Sequence, residues 1–171
     1  MTSRRKDRER AKGRRESGPF IALPISVLND PNYFRLKPNA VKLLVDMCTQ
    51  IHFSRGGPVN NGDVSIPWSR MSKRGWRSKQ TLRNAELELL HYGFIRLTRQ
   101  GGRNKCNLYA ITWWAIDECK GKLDVKETKT APNDWKEGKE NYQRAKPVKT
   151  GTPNIVPTSP PNRTNHGHES H

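Results

Sequence analysis

With 171 residues the chain has room for one domain of ordinary size plus tails, and a hydrophobic content of 32%, against the ~45–50% usual in globular domains, means that part of it stays unpacked. Its mean hydropathy is −0.95, and no stretch reaches the ~18 apolar residues a bilayer-spanning helix needs, which excludes that class. Lys and Arg number 32 against 16 Asp and Glu, a formal charge of +16, so the natural partner of the surface is a polyanion.

Residues 1–17 hold eight Arg or Lys and three acids with almost no apolar side chain, so they read as a disordered basic arm carrying Arg4, Arg5, Arg8, Arg10, Arg14 and Arg15. No apolar run follows these charges, which argues against a secretory signal and predicts a chain that stays in the cytoplasm. Cys48, Cys106 and Cys119 are odd in number and widely spaced, which fits reduced thiols rather than a disulfide framework. From about Lys120 the chain turns polar and Pro-rich, so 120–171 reads as a largely disordered tail in which Trp135 and Tyr142 can dock locally. The domain is expected in 18–119, which holds four of the five tryptophans.

Within that zone, PFIALPISVLNDPNYFRL is interrupted by Pro24 and Pro31 and predicts short extended or single-turn pieces that cover one side of the core. In KPNAVKLLVDMCTQIHF, Pro38 suits a first helical turn, and Val41, Leu44, Val45, Cys48 and Ile51 recur at three and four, giving a first helix. RGGPVNNGD reads as a turn, VSIP as a short strand, and WSRMSKRGW as a short helix after Pro67 that ends at Gly75. SKQTLRNAELELLHYG opens on Ser78 as N-cap, carries Leu82, Ala85, Leu89 and Tyr92 on one face, and stops at Gly93. FIRLTRQGGRNKCNLYAITWW then predicts a hairpin around Gly101-Gly102 with Arg99, Arg103 and Lys105 at its tip. The expected fold class is α+β, about three helices and a small antiparallel sheet. Between Arg70 and Lys105 there are ten basic residues against two acidic, Glu86 and Glu88.

NNGD before the strand, SKQTLRNAELELLHYGFI running from helix into strand, and GGRNKCNLYAITW as the return strand resemble the winged helix-turn-helix domains of bacterial, phage and plasmid proteins, among them replication initiators and transcriptional regulators. The resemblance covers about residues 20–115; KRGWRS departs from the usual turn by placing Trp76 and Arg77 before the third helix. It implies that the third helix, about 78–92, enters a major groove and that the basic wing, about 99–105, rides on the DNA backbone. On that helix Gln80 and Asn84 suit adenine edges and Arg83 suits guanine, with Lys79 beside them. Arg70, Lys73, Arg74, Arg77, Ser78, Arg99, Arg103 and Lys105 are candidate backbone contacts, and the arm adds affinity that does not depend on sequence.

Other constellations weigh less. Trp68, Trp76, Trp113 and Trp114 suit core packing better than base stacking. The cysteines lack a CxxC pair and His52 and His91 have no partner at ligand spacing, so no metal or other cofactor is expected; the terminal HGHESH suits only loose metal binding. No nucleophile elbow, P-loop or paired-carboxylate motif suggests an enzyme. The expected partner is double-stranded DNA in replication or transcription of a bacterial chromosome or mobile element, which would associate the chain with the nucleoid, and no membrane. The alternatives are an RNA-binding or ribosome-associated module, and a protein–protein adaptor docking through 19–34. That segment suits either a cap on its own core or a swap in a dimer of the chain.

Overall fold

Prolines open most of the helices. Pro31 and Pro38 stand at first helical positions and Pro24 and Pro67 are extended N-caps, where the missing N–H and the preset φ suit a helix start. The computed structural model describes residues 19–54 and 57–143; the basic arm at 1–17 and the histidine-rich end lie outside the described residues. The elements in order are α1 (Ile25–Leu28), α2 (Pro31–Phe34), α3 (Pro38–Cys48), β1 (Phe53–Ser54), β2 (Gly57–Pro58), α4 (Trp68–Met71) running into a 3-10 turn (Ser72–Arg74), α5 (Lys79–His91), β3 (Ile95–Arg99), β4 (Leu108–Ile111), and 3-10 turns at Cys119–Gly121 and Asp134–Lys136. The fold is α+β with two small antiparallel sheets, β1–β2 and β3–β4.

The core forms where α3 packs on α5. Ala40, Leu43, Leu44, Met47 and Cys48 of α3 meet Leu82, Ala85 and Leu89 of α5, all buried. The buried face of α3 is turned slightly from the expected one: Val41 and Val45 are half-buried while Leu43 and Met47 are fully enclosed. Both stripes share Leu44, Cys48 and Ile51, and packing against α5 selects between them.

Strands β3 and β4 pair Ile95 with Ile111 and Leu97 with Tyr109, with a shift in register between Leu97 and Arg99. The expected VSIP strand is reduced to one bridge, in which Val64 and Tyr109 exchange backbone hydrogen bonds of 3.2 and 2.9 Å. The hairpin turns at Arg103-Asn104, two residues past the expected Gly-Gly. Gly102 and Lys105 exchange bonds of 3.1 Å across it, and Asn104 takes φ 64, a left-handed conformation asparagine tolerates. Gly101 is needed for a close approach instead: a Cβ there would lie 2.6 Å from the Asn107 nitrogen.

The NNGD segment is consumed by the fold. Asn61 is fully buried; its Nδ2 donates to the carbonyls of Ile111 (2.9 Å), Trp114 (3.1 Å) and Ala115 (2.8 Å), and its Oδ1 accepts the Ile111 N–H at 2.7 Å. Asn60 bridges the Gln50 carbonyl and the His52 N–H at 2.9 and 2.7 Å.

The expectation of an unpacked tail from Lys120 is corrected over residues 120–143, which form a strap across the domain. The N–H groups of Asp124, Thr128 and Asn133 donate to the carbonyls of Thr98 (2.8 Å), Ile116 (2.9 Å) and Thr112 (2.8 Å). Trp135 is buried, and buried Asn32 donates to the carbonyls of Trp135 and Glu137 at 2.8 Å each. Arg96 forks onto Asp134 at 2.8 and 2.5 Å. Counting apolar residues misses such a strap, because one indole and a series of polar partners for its backbone suffice to seat it.

Candidate nucleic-acid interface

The basic turn before α5 is built on a buried carboxylate. Gly75 takes φ 85, which ends the 3-10 turn and drives Trp76 inward to 5% exposure. There the indole N–H donates to Asp46 of α3 at 2.8 Å, Arg74 reaches the same carboxylate at 2.8 Å through Nη2, and Lys42 does so at 2.7 Å. Burial opposes ionisation of Asp46, but the hydrogen bonds from Lys42, Trp76 and Arg74 outweigh it and hold its pKa below the ordinary value. Trp76 is the plug that fastens this turn to α3.

Ser78 then caps α5, its Oγ accepting the Thr81 N–H at 3.3 Å. Lys79, Gln80 and Arg83 on the first two turns are exposed and Asn84 is half-exposed; Gln80 donates to Asn84 at 2.9 Å. Both acids of the helix face inward. Glu88 is 3% exposed and accepts the Lys37 N–H at the start of α3 at 2.7 Å. Glu86 is 5% exposed and takes hydrogen bonds from Arg83 and from the Tyr109 hydroxyl of β4. The outward surface of this half of the helix therefore presents cations and amides. Lys79 lies over the Trp68 ring, 5.9 Å from its centroid, at the edge of cation–π range.

The hairpin faces the same region. A groove of about 290 Å³ runs between α5 and the hairpin stem, with Lys79 and Arg83 on one wall, Cys106 and Asn107 on the other, and Tyr109 at its floor. Arg103 and Lys105 are exposed at the tip.

The expected site residues thus divide. Lys73, Arg77, Ser78, Lys79, Gln80, Arg83, Asn84, Arg103 and Lys105 lie on the turn, the first half of α5 and the hairpin tip, none of them buried. Arg74 is engaged with Asp46, and exposed Arg70 contacts the Gln50 side chain. Arg99, expected at the tip, is the last residue of β3, paired with Leu108 where the stem meets the loop: its Nη2 donates to the Cys106 carbonyl at 3.2 Å, and its buried Nε has no partner among the described residues. Because the chain turns only at Arg103-Asn104, Arg99 lies at the end of the stem, short of the turn. The arm residues Arg4, Arg5, Arg8, Arg10, Arg14 and Arg15 lie outside the described residues.

No family model, curated protein or solved structure matches the chain.

Sequence reasoning passes over Asp46, Glu86 and Tyr109, which organise this surface. The available signal is positional: Asp46 interrupts an apolar face between Val45 and Met47, and Glu86 follows core residue Ala85. Elsewhere burial pushes the Cys48 thiol up to about 12, and burial with nearby carboxylates raises Cys119 to about 11, so both are protonated thiols at neutral pH. Among the described residues no group of three or more His, Cys, Asp or Glu is placed to hold a metal ion, and no helix is long and apolar enough to cross a membrane.

Proposed function

We propose that the chain is a DNA-binding protein that lays α5 in a major groove and its basic hairpin on the flanking backbone, in the manner of a winged helix-turn-helix. The observation that carries this is the inward turn of Glu86 and Glu88, which leaves Lys79, Gln80, Arg83 and Asn84 as a cationic, amide-bearing face on the first turns of the helix. The residue types match base edges and phosphates. The element order supports the same reading: helix α3, a bridging residue at Val64, short α4, longer α5, then a hairpin whose return strand meets Val64. Trp76, Trp113 and Trp135 are buried, which reduces the aromatic faces on offer to single-stranded or RNA bases.

The test is titration of labelled duplex DNA with the full chain across a salt series, beside Lys79→Ala/Arg83→Ala and Arg103→Ala/Lys105→Ala. Each phosphate contact contributes about 0.9 to the log–log salt slope, so the hairpin variant is expected to flatten the slope by nearly two, while the helix variant loses preference for a selected duplex. Equal slopes and equal preference in all three proteins refute the reading. An adaptor is the second reading, favoured by Phe20, Ile25 and Phe34, each at least 70% exposed; absence of duplex binding at physiological salt moves the choice to it.

A further inference from the structure

Directly beneath the exposed face of α5 lies a carboxylate tied to the hairpin as well as to its own helix. Glu86 accepts from Nη1 of Arg83 and from the Tyr109 hydroxyl at 2.5 Å. That hydroxyl accepts from Asn107 Nδ2 at 3.1 Å, and Asn107 Oδ1 accepts the Gly101 N–H at 2.6 Å. An unbroken chain of hydrogen bonds thus joins a half-exposed arginine on the helix to the backbone just before the hairpin tip. The direction of each bond is consistent, since a phenol donates once and can still accept. Burial, and then the Glu86 carboxylate, raise the Tyr109 pKa, so the hydroxyl keeps the proton it donates.

An i,i+3 ion pair made only to support a helix has no need of a buried acid. Here the acid's side chain is 7% exposed while the arginine side chain is 51% exposed, so the carboxylate holds one nitrogen of a guanidinium that is half open to solvent. Only Nη1 of Arg83 is engaged among the described residues, leaving Nε and Nη2 as donors. The bond narrows the rotamers this guanidinium samples before any ligand arrives.

We propose that Glu86 and Tyr109 are positioning residues that hold Arg83 as a reader of a guanine edge. The inference rests on the DNA-binding reading above. A guanine presents O6 and N7 as paired acceptors in the major groove, the complement of a guanidinium fork.

The experiment selects a preferred duplex with the full chain and then replaces its base pairs one at a time, for the wild type, Arg83→Ala, Tyr109→Phe, Glu86→Gln and Arg83→Ala/Tyr109→Phe. Arg83→Ala is expected to relax discrimination at one G·C pair by about tenfold or more. Tyr109→Phe and Glu86→Gln relax it at that same pair, with the affinity for random duplex and the salt slope unchanged. The double variant discriminates no worse than Arg83→Ala alone, because both changes act through one contact. In the free protein, NMR of the Arg83 guanidinium shows restricted rotation in the wild type and averaging in Tyr109→Phe, a readout that a purely structural hydroxyl would not move. Wild-type discrimination by Tyr109→Phe and Glu86→Gln, or relaxation at a different pair, overturns the proposal. Duplex binding with no base preference overturns it and leaves the DNA-binding reading standing, whereas absence of duplex binding overturns both.

Discussion

Replacing Asp46 tests the structural logic of the basic turn. Its side chain is 8% exposed and holds Trp76 Nε1 at 2.8 Å, Arg74 Nε at 2.9 Å and Lys42 Nζ at 2.7 Å. In Asp46→Ala the buried indole N–H is left without an acceptor, which costs roughly 1–3 kcal/mol. The two cations are more than a third exposed, at 38% and 44%, so each lost ion pair adds only about 0.5 kcal/mol. The total is about 2–4 kcal/mol, which lowers Tm by roughly 10 °C in a domain of this size. Asp46→Asn keeps an acceptor for the indole and loses only the charge, and it is expected to cost about 1 kcal/mol. The sign with pH follows from the lowered pKa: stabilisation by the charged carboxylate is complete above its ordinary value of 3.8 and is lost as pH falls through the lower folded value. The wild type therefore loses stability on acidification below about pH 4 more steeply than Asp46→Asn. Thermal and urea unfolding followed by tryptophan fluorescence measures all of this. A cost below about 0.5 kcal/mol for Asp46→Ala, with unchanged Trp76 emission, refutes the claim that this clip fastens the turn.

Two further substitutions probe the scaffold around the site. Asn61→Ala removes the partner of one buried N–H and three carbonyls, so it is expected to cost at least about 3 kcal/mol, read as a drop in urea midpoint; a midpoint near wild type would mean that water replaces the amide. Gly93→Ala forces a Cβ to 2.6 Å from the Asp134 carbonyl at φ +74, where the left-handed backbone alone costs about 1 kcal/mol. The strap should lift, and limited trypsin digestion should cut sooner after Lys129 and Lys136. Cleavage at the wild-type rate would show that the strap does not depend on this contact.

The helices were legible because their signals are local. Pro38, the Ser78 cap and Gly93 mark their ends, and apolar residues at three and four mark their inner faces. The hairpin was legible in outline, but its turn was not, since the bulge near Thr98 and the fit of Gly101 against Asn107 depend on a partner strand. A strap with one buried indole carries no periodic signal, so residues 120–143 looked like tail. The surface charge was plain from the sequence; which cations remain available was not.

By itself, the sequence determined an α+β chain with a strongly basic segment from Arg70 to Lys105, through periodicity, capping residues and composition, all of which act within a few residues. Tertiary structure decided where the charges point. Asp46 claims Arg74 and Trp76, and Glu86 and Glu88 turn inward to Tyr109 and Lys37. Those pairings join residues far apart in the chain, and their stability comes from burial and hydrogen bonding that exist only once α3, α5 and the hairpin are packed together.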